Sequence, residues 1–175
     1  KGTFVGLFGI GVGWAATQAP PEYRYPLLEK LVKSSEPAER SLGLELCSEW
    51  LSTRGGSRIV GAEYQGMRPT LEFWRPRTYG EMFDSWRKVW RFLRVELKSW
   101  PDDERRVGTT RMIDSGLELA HYVAVADEVM ESLFELADDP AVDKAHFIKA
   151  VIQELRHRYS RFPKGILSKL KQLDK

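Results

Sequence analysis

Cysteine is almost missing from this sequence: Cys47 stands alone among 175 residues. One thiol excludes an internal disulfide framework and any cysteine-cluster metal site. It suits a reducing compartment, and a cytoplasmic setting is the expectation. An initiating Met is missing too. The chain opens at Lys1 and reads as a piece of a longer polypeptide. Histidine is scarce, and no two of His121, His146 and His157 have the i, i+4 spacing of a helical metal pair. No apolar run reaches the roughly 20 residues that a membrane-crossing helix needs, so no membrane partner is expected. Net charge is only +2, which by itself implies no polyanion partner. What is plentiful is ordinary: 42% hydrophobic and 30% charged residues exclude wholesale disorder.

The N-terminal stretch imitates two things. Lys1, the apolar run Thr3–Ala16 and the small residues around Ala19 resemble a secretory signal, but Gly6, Gly9, Gly11 and Gly13 interrupt it. Gly11-Val12-Gly13-Trp14-Ala15-Ala16 matches a dinucleotide fingerprint. That chemistry needs a following helix pointed at the pyrophosphate, then a strand ending in an acid. Pro20-Pro21 is expected to stop any such helix, and Tyr25–Lys33 reads as helix. The glycines are read instead as sites of close packing.

From Tyr25 onward the period is helical. Pro26 suits a first turn before Leu27, Leu28, Leu31 and Val32. Ser35 can cap a helix with Ala38, Leu42, Leu46 and Trp50 inward, and Cys47 beside that face reads as a small core residue. Gly55-Gly56 ends it. Thr78 and Glu81 form a T-x-x-E capping box. It opens the stripe Phe83, Trp86, Trp90, Leu93, Leu97. Beyond Pro101, Asp102 is the expected cap of a helix burying Val107, Ile113, Leu117 and Ala120. Val125, Val129, Leu133 and Leu136 mark the next. Asp143 opens another with Phe147, Val151 and Leu155 inward, and a last short helix holds Ile166, Leu170 and Leu173. Only Ile59-Val60 is a β-branched pair, so no sheet is expected. The fold class is all-α, as stacked helical hairpins or an irregular helical bundle.

The corners carry a resemblance. Leu31-Val32-Lys33-Ser34-Ser35-Glu36-Pro37-Ala38-Glu39-Arg40 resembles the inter-helix turn of HEAT-type repeats, and Asp139-Pro140-Ala141-Val142-Asp143-Lys144 repeats that corner. Asp102-Asp103-Glu104-Arg105-Arg106-Val107 is a fainter third. Pro101 and Pro140 are 39 residues apart, near the period of about 40. The resemblance implies an α-solenoid segment in which paired helices bury their faces by stacking. Residues 1–175 are read as one helical domain.

Residues 54–77 interrupt the short corners as an inserted loop rich in Gly and Pro, and loops of this length are usually functional. Arg58, Arg68, Arg75 and Arg77 sit there among Tyr64, Phe73 and Trp74. Arginine beside aromatics suits planar anions and protein hot spots alike. On the helix that follows, Arg87, Arg91, Arg94 and Lys98 share one face. Residues 54–98 carry net +5, residues 99–155 net −8 and residues 156–175 net +6. The strip therefore has three available counterparts: the acidic block next to it, an acidic partner, or a phosphate backbone. Glu63 and Glu72 are the only acids that helix capping does not account for.

No catalytic residue, metal or cofactor is assigned. The expected function is non-catalytic: a helical scaffold or recognition segment of a larger protein. It would bind a protein partner, or other domains of the same polypeptide, through Arg68, Trp74, Arg75, Arg77, Arg87, Arg91, Arg94 and Lys98. The competing expectation is a nucleic-acid-binding HEAT-like module that uses the same basic, aromatic-lined face.

Overall fold

The computed structural model describes residues 3–10, 17–54, 73–157, 162–163, 165–166 and 168. Among them it has seven α-helices and no strand, so the fold is all-α. The G-x-G-x-x-A stretch, Arg58, Glu63, Arg68, Glu72, Leu170 and Leu173 lie outside the described residues. The chain divides into two compact units, Lys1–Val89 and Trp90–Lys175.

The first unit holds the single turn α1 (Thr3–Gly6), then α2 (Pro21–Val32), α3 (Pro37–Trp50) and the start of α4 (Tyr79–Glu96). No helix runs into Pro20-Pro21 across the described residues 17–20, as expected, and the same pair starts the next helix. Pro21 takes the first helical position, where its missing N–H would have had no partner anyway. Pro26 is consequently one turn further inside α2 than expected. Residues 33–36 turn the chain, and α2 packs on α3 as a helical hairpin. Arg40 locks this corner: its Nη1 donates to the carbonyls of Ser34 at 2.8 Å and Ser35 at 2.7 Å. Gly43 lets the two backbones meet, since a Cβ there would lie 2.8 Å from the Val32 nitrogen. The buried face of α3 is therefore Gly43, Leu44, Leu46, Cys47 and Trp50. Ala38 is exposed and Leu42 half-buried, so the expected stripe holds only for its last two turns.

The second unit holds the end of α4, a 3-10 turn (Leu97–Ser99), α5 (Asp102–Leu119), α6 (Val123–Ala137) and α7 (Lys144–His157). Helix α5 is central and packs on both α6 and α7. Its buried face is Gly108, Thr109, Met112, Ile113, Gly116 and Leu117, while Val107, expected inward, is 56% exposed. Gly116 makes room for an indole: a Cβ there would be 2.7 Å from the Trp90 ring. Val125, Val129, Leu133 and Leu136 are all buried, and so are Phe147 and Val151. Pro101 rather than Asp102 precedes α5, whereas Asp143 does cap α7, accepting from the His146 N–H at 3.0 Å. No helix among the described residues is long and apolar enough to cross a membrane.

Candidate recognition surface

Helix α4 carries the chemistry singled out in the sequence. Its start is fixed as the capping box requires: the Glu81 N–H donates to Thr78 Oγ1 at 3.2 Å. The reciprocal bond falls one residue early, from the Arg77 N–H to Glu81 Oε2 at 2.7 Å. Met82, Trp86, Val89, Trp90, Leu93 and Leu97 are buried, which turns Arg87, Arg91 and Arg94 away from the core.

The arginine strip is engaged within the chain. Arg91 forms a two-pronged pair with Glu128 of α6, Nε to Oε1 at 2.5 Å and Nη2 to Oε2 at 2.7 Å. Arg94 donates to Ser132 Oγ at 3.0 Å and lies 3.6 Å from Glu135. Arg87 pairs with Asp84 at 2.7 Å, one turn back on its own helix. Lys98 is exposed. It lines a cavity of about 180 Å³ together with Arg94, Arg105, Glu135, Asp138 and Asp139. Arg105 and Asp139 pair there. The acidic block thus supplies carboxylates to the strip, the first of the three counterparts considered above.

The loop residues fare differently. Trp74 is half-buried, and its backbone N–H donates to the Thr17 carbonyl at 3.0 Å. Arg75 and Arg77 are exposed, and Tyr79 beside them is 68% exposed while stacking on Phe83. Arg77 touches Glu81, and Glu81 lines a recess of about 480 Å³ with Glu22, Tyr25, Trp50, Asp84, Ser85 and Lys88. Here Lys88 Nζ sits 3.7 Å from the centroid of the Tyr25 ring, a close cation–π contact. Aromatic faces and three carboxylates line this recess. Sequence reasoning missed it because Glu22 and Tyr25 lie more than fifty residues from Glu81 and Asp84. Only the fold brings them together.

Groups of catalytic type have structural duties. Burial raises the pKa of the Cys47 thiol, so the nucleophilic thiolate is disfavoured. His121 Nε2 contacts Glu154 at 3.2 Å and its ring stacks on Phe162, while His146 Nε2 contacts Asp114 at 2.9 Å. These two contacts staple α7 to α5 and to the residues just beyond it. Among the described residues no group of His, Cys, Asp and Glu could hold a metal ion.

No family model, no curated protein and no solved structure matches this chain.

Proposed function

We propose that this chain is a non-catalytic, HEAT-like helical segment that recognises a protein partner through the start of α4 and the recess beside it. The observation that carries the reading is the recess itself. Glu22, Glu81 and Asp84 oppose Lys88 there, with the Tyr25 ring as one wall. Such a lining favours a basic side chain of a partner, since a desolvated cation gains from both carboxylates and an aromatic face. Arg75, Arg77 and Tyr79 flank it, the residue types that dominate protein hot spots. The locked corner at Arg40 supports the repeat part of the reading, because it fixes the angle at which a hairpin stacks.

A phosphate backbone would have to compete with Glu128 for Arg91 and with Glu135 for Arg94. That weighs for a protein partner over nucleic acid. A photo-crosslinking residue at position 79, introduced into the full chain in cells, tests the choice. The expected result is a discrete protein adduct that Glu22→Lys with Asp84→Lys abolishes. Adducts to nucleic acid, or none, would overturn the reading.

A further inference from the structure

Arg24 has a buried position that its contacts among the described residues do not explain. It falls on the buried stripe of α2, in register with Leu28, Leu31 and Val32, and is only 5% exposed. Its Nη1 donates to two carbonyls of the N-terminal segment, Leu7 at 2.7 Å and Gly9 at 3.2 Å. The guanidinium carbon lies 5.3 Å from the Trp50 ring centroid and 5.4 Å from that of Trp74. Two nitrogens remain, Nε and Nη2, and both are buried without an acceptor among the described residues. These two form the side edge of the guanidinium, the parallel N–H fork that receives a carboxylate or phosphate in bidentate fashion. The Trp50 indole N–H, on one of the two flanking rings, is a third buried donor without an acceptor.

The charge balance points the same way. Burial draws the Arg24 pKa down to about 10, which still leaves it a cation at neutral pH. Glu22 opposes that shift through its field alone, from an exposed position two residues away. Glu49 lies against Gly9, yet no bond joins it to the fork. A buried cation with unmet donors is costly, and an anion at the fork removes both costs at once. Leu7, Gly9 and Trp74 are only half-buried, so the fork lies one layer beneath the surface.

We propose that the Nε/Nη2 edge of Arg24 is the heart of an anion site that takes one small oxyanion, a carboxylate or a phosphate, between Trp50 and Trp74. The site belongs to the first unit; it shares Trp50 with the recess but does not depend on any protein partner. Its neighbours explain why it would select small ligands: the carbonyls of Leu7 and Gly9 already hold the far end of the guanidinium, leaving one edge for one anion.

The test titrates the whole chain with inorganic phosphate, and separately with acetate, against chloride at constant ionic strength. Thermal unfolding and tryptophan fluorescence are followed together. Near 100 times the dissociation constant, the preferred anion should raise Tm by about 5–10 °C. It should also change the emission of the flanking tryptophans. A response to phosphate alone or to acetate alone names the class of ligand. Arg24→Lys keeps the charge but loses the fork, and should abolish the shift, while Arg111→Lys at an exposed position of α5 should keep it. In the wild-type chain the Arg24 Nε–H NMR resonance should move on anion addition, a readout that survives even if Arg24→Lys fails to fold. No Tm shift with either anion, an unmoved resonance, or a full shift in Arg24→Lys overturns the site.

Discussion

The two units treat their buried indole N–H groups differently, while His121 Nδ1 in the second unit is itself a buried nitrogen with no partner among the described residues. In the second, Ser132 is fully used: it accepts from Trp90 Nε1 at 3.1 Å and from Arg94 at 3.0 Å, and donates to the Glu128 carbonyl at 2.9 Å. One hydroxyl thereby satisfies an indole, a guanidinium and its own helix. In the first unit, Trp50 buries the same indole N–H with no acceptor among the described residues, and Arg24 buries two more such donors beside it. Interiors normally pair such groups, since each unmet one costs about 1–3 kcal/mol. A polar core that closes on itself serves stability. One that leaves donors open is where a ligand site is sought.

The largest effect should come from the indoles themselves. Trp86 and Trp90 are one turn apart on α4, the former in the first unit and the latter in the second, and both are at most 1% exposed. Truncating either to Ala should cost about 3–5 kcal/mol in chemical denaturation. Equal losses would show that packing is equally tight in both units and that only their polar bonding differs. A loss under about 1 kcal/mol at one site would mean that its unit is loosely packed, well below what cavity formation demands.

Next come the substitutions that touch the polar contrast directly. Ser132→Ala leaves the Trp90 N–H buried without an acceptor, for an expected loss of about 1–3 kcal/mol. Trp50→Phe removes an N–H that has no acceptor, so it should cost much less than the lost ring volume alone suggests. Trp90→Phe, by contrast, should carry the further cost of a broken bond. If Trp50→Phe proves as damaging as Trp90→Phe, the two cores are alike and the contrast falls.

The glycines give a third, smaller comparison. A Cβ at Gly43 would meet the Val32 backbone at 2.8 Å, and backbone cannot step aside. At Gly108 it would meet Leu97 Cδ2 at 2.2 Å, the end of a side chain that can rotate. Gly43→Ala should therefore cost about 1–3 kcal/mol as overpacking. Gly108→Ala should lose less, because the Leu97 side chain can rotate away while both substitutions gain the same helix propensity of about 1 kcal/mol. Thermal melts of the two variants would check the order.

These residues also show what the sequence could and could not convey. Helices were legible because leucine and tryptophan recur at spacings of three and four; the α6 stripe lies as expected, whereas in α4 Phe83 is only half-buried and the buried Met82 and Val89 lie outside the expected stripe. The α5 face was misread at Val107 because its tight side is made by Gly108 and Gly116, which apolar counting does not register. The start of α2 is earlier than the expected Tyr25, because Pro21 opens the helix where a proline N–H would have no partner anyway. Arg24 left one trace that was passed over, an arginine in the apolar register of Leu28 and Leu31. The recess at Glu22, Tyr25, Glu81 and Asp84 left none, because it is assembled from segments far apart in the chain.

The smallest expected effect concerns the strip. Arg91 and Glu128 are 63% and 27% exposed as side chains, so solvent screens their attraction despite the two short bonds. Exposed pairs of this kind contribute about 0.2–1 kcal/mol. Arg91→Glu should lower stability by slightly more than that, since it places like charges together, and Glu128→Arg should do the same. The double swap should recover most of both losses, giving a coupling energy of up to about 1 kcal/mol at low salt. The coupling should shrink as salt rises through about 0.15 M, where the screening length is roughly 8 Å. Two outcomes would reverse the assignment of Glu128 as the counterpart of Arg91. One is zero coupling at low salt. The other is Arg91→Glu leaving stability unchanged while weakening the position-79 crosslink. The second would make the strip part of the recognition surface, as the sequence alone had suggested.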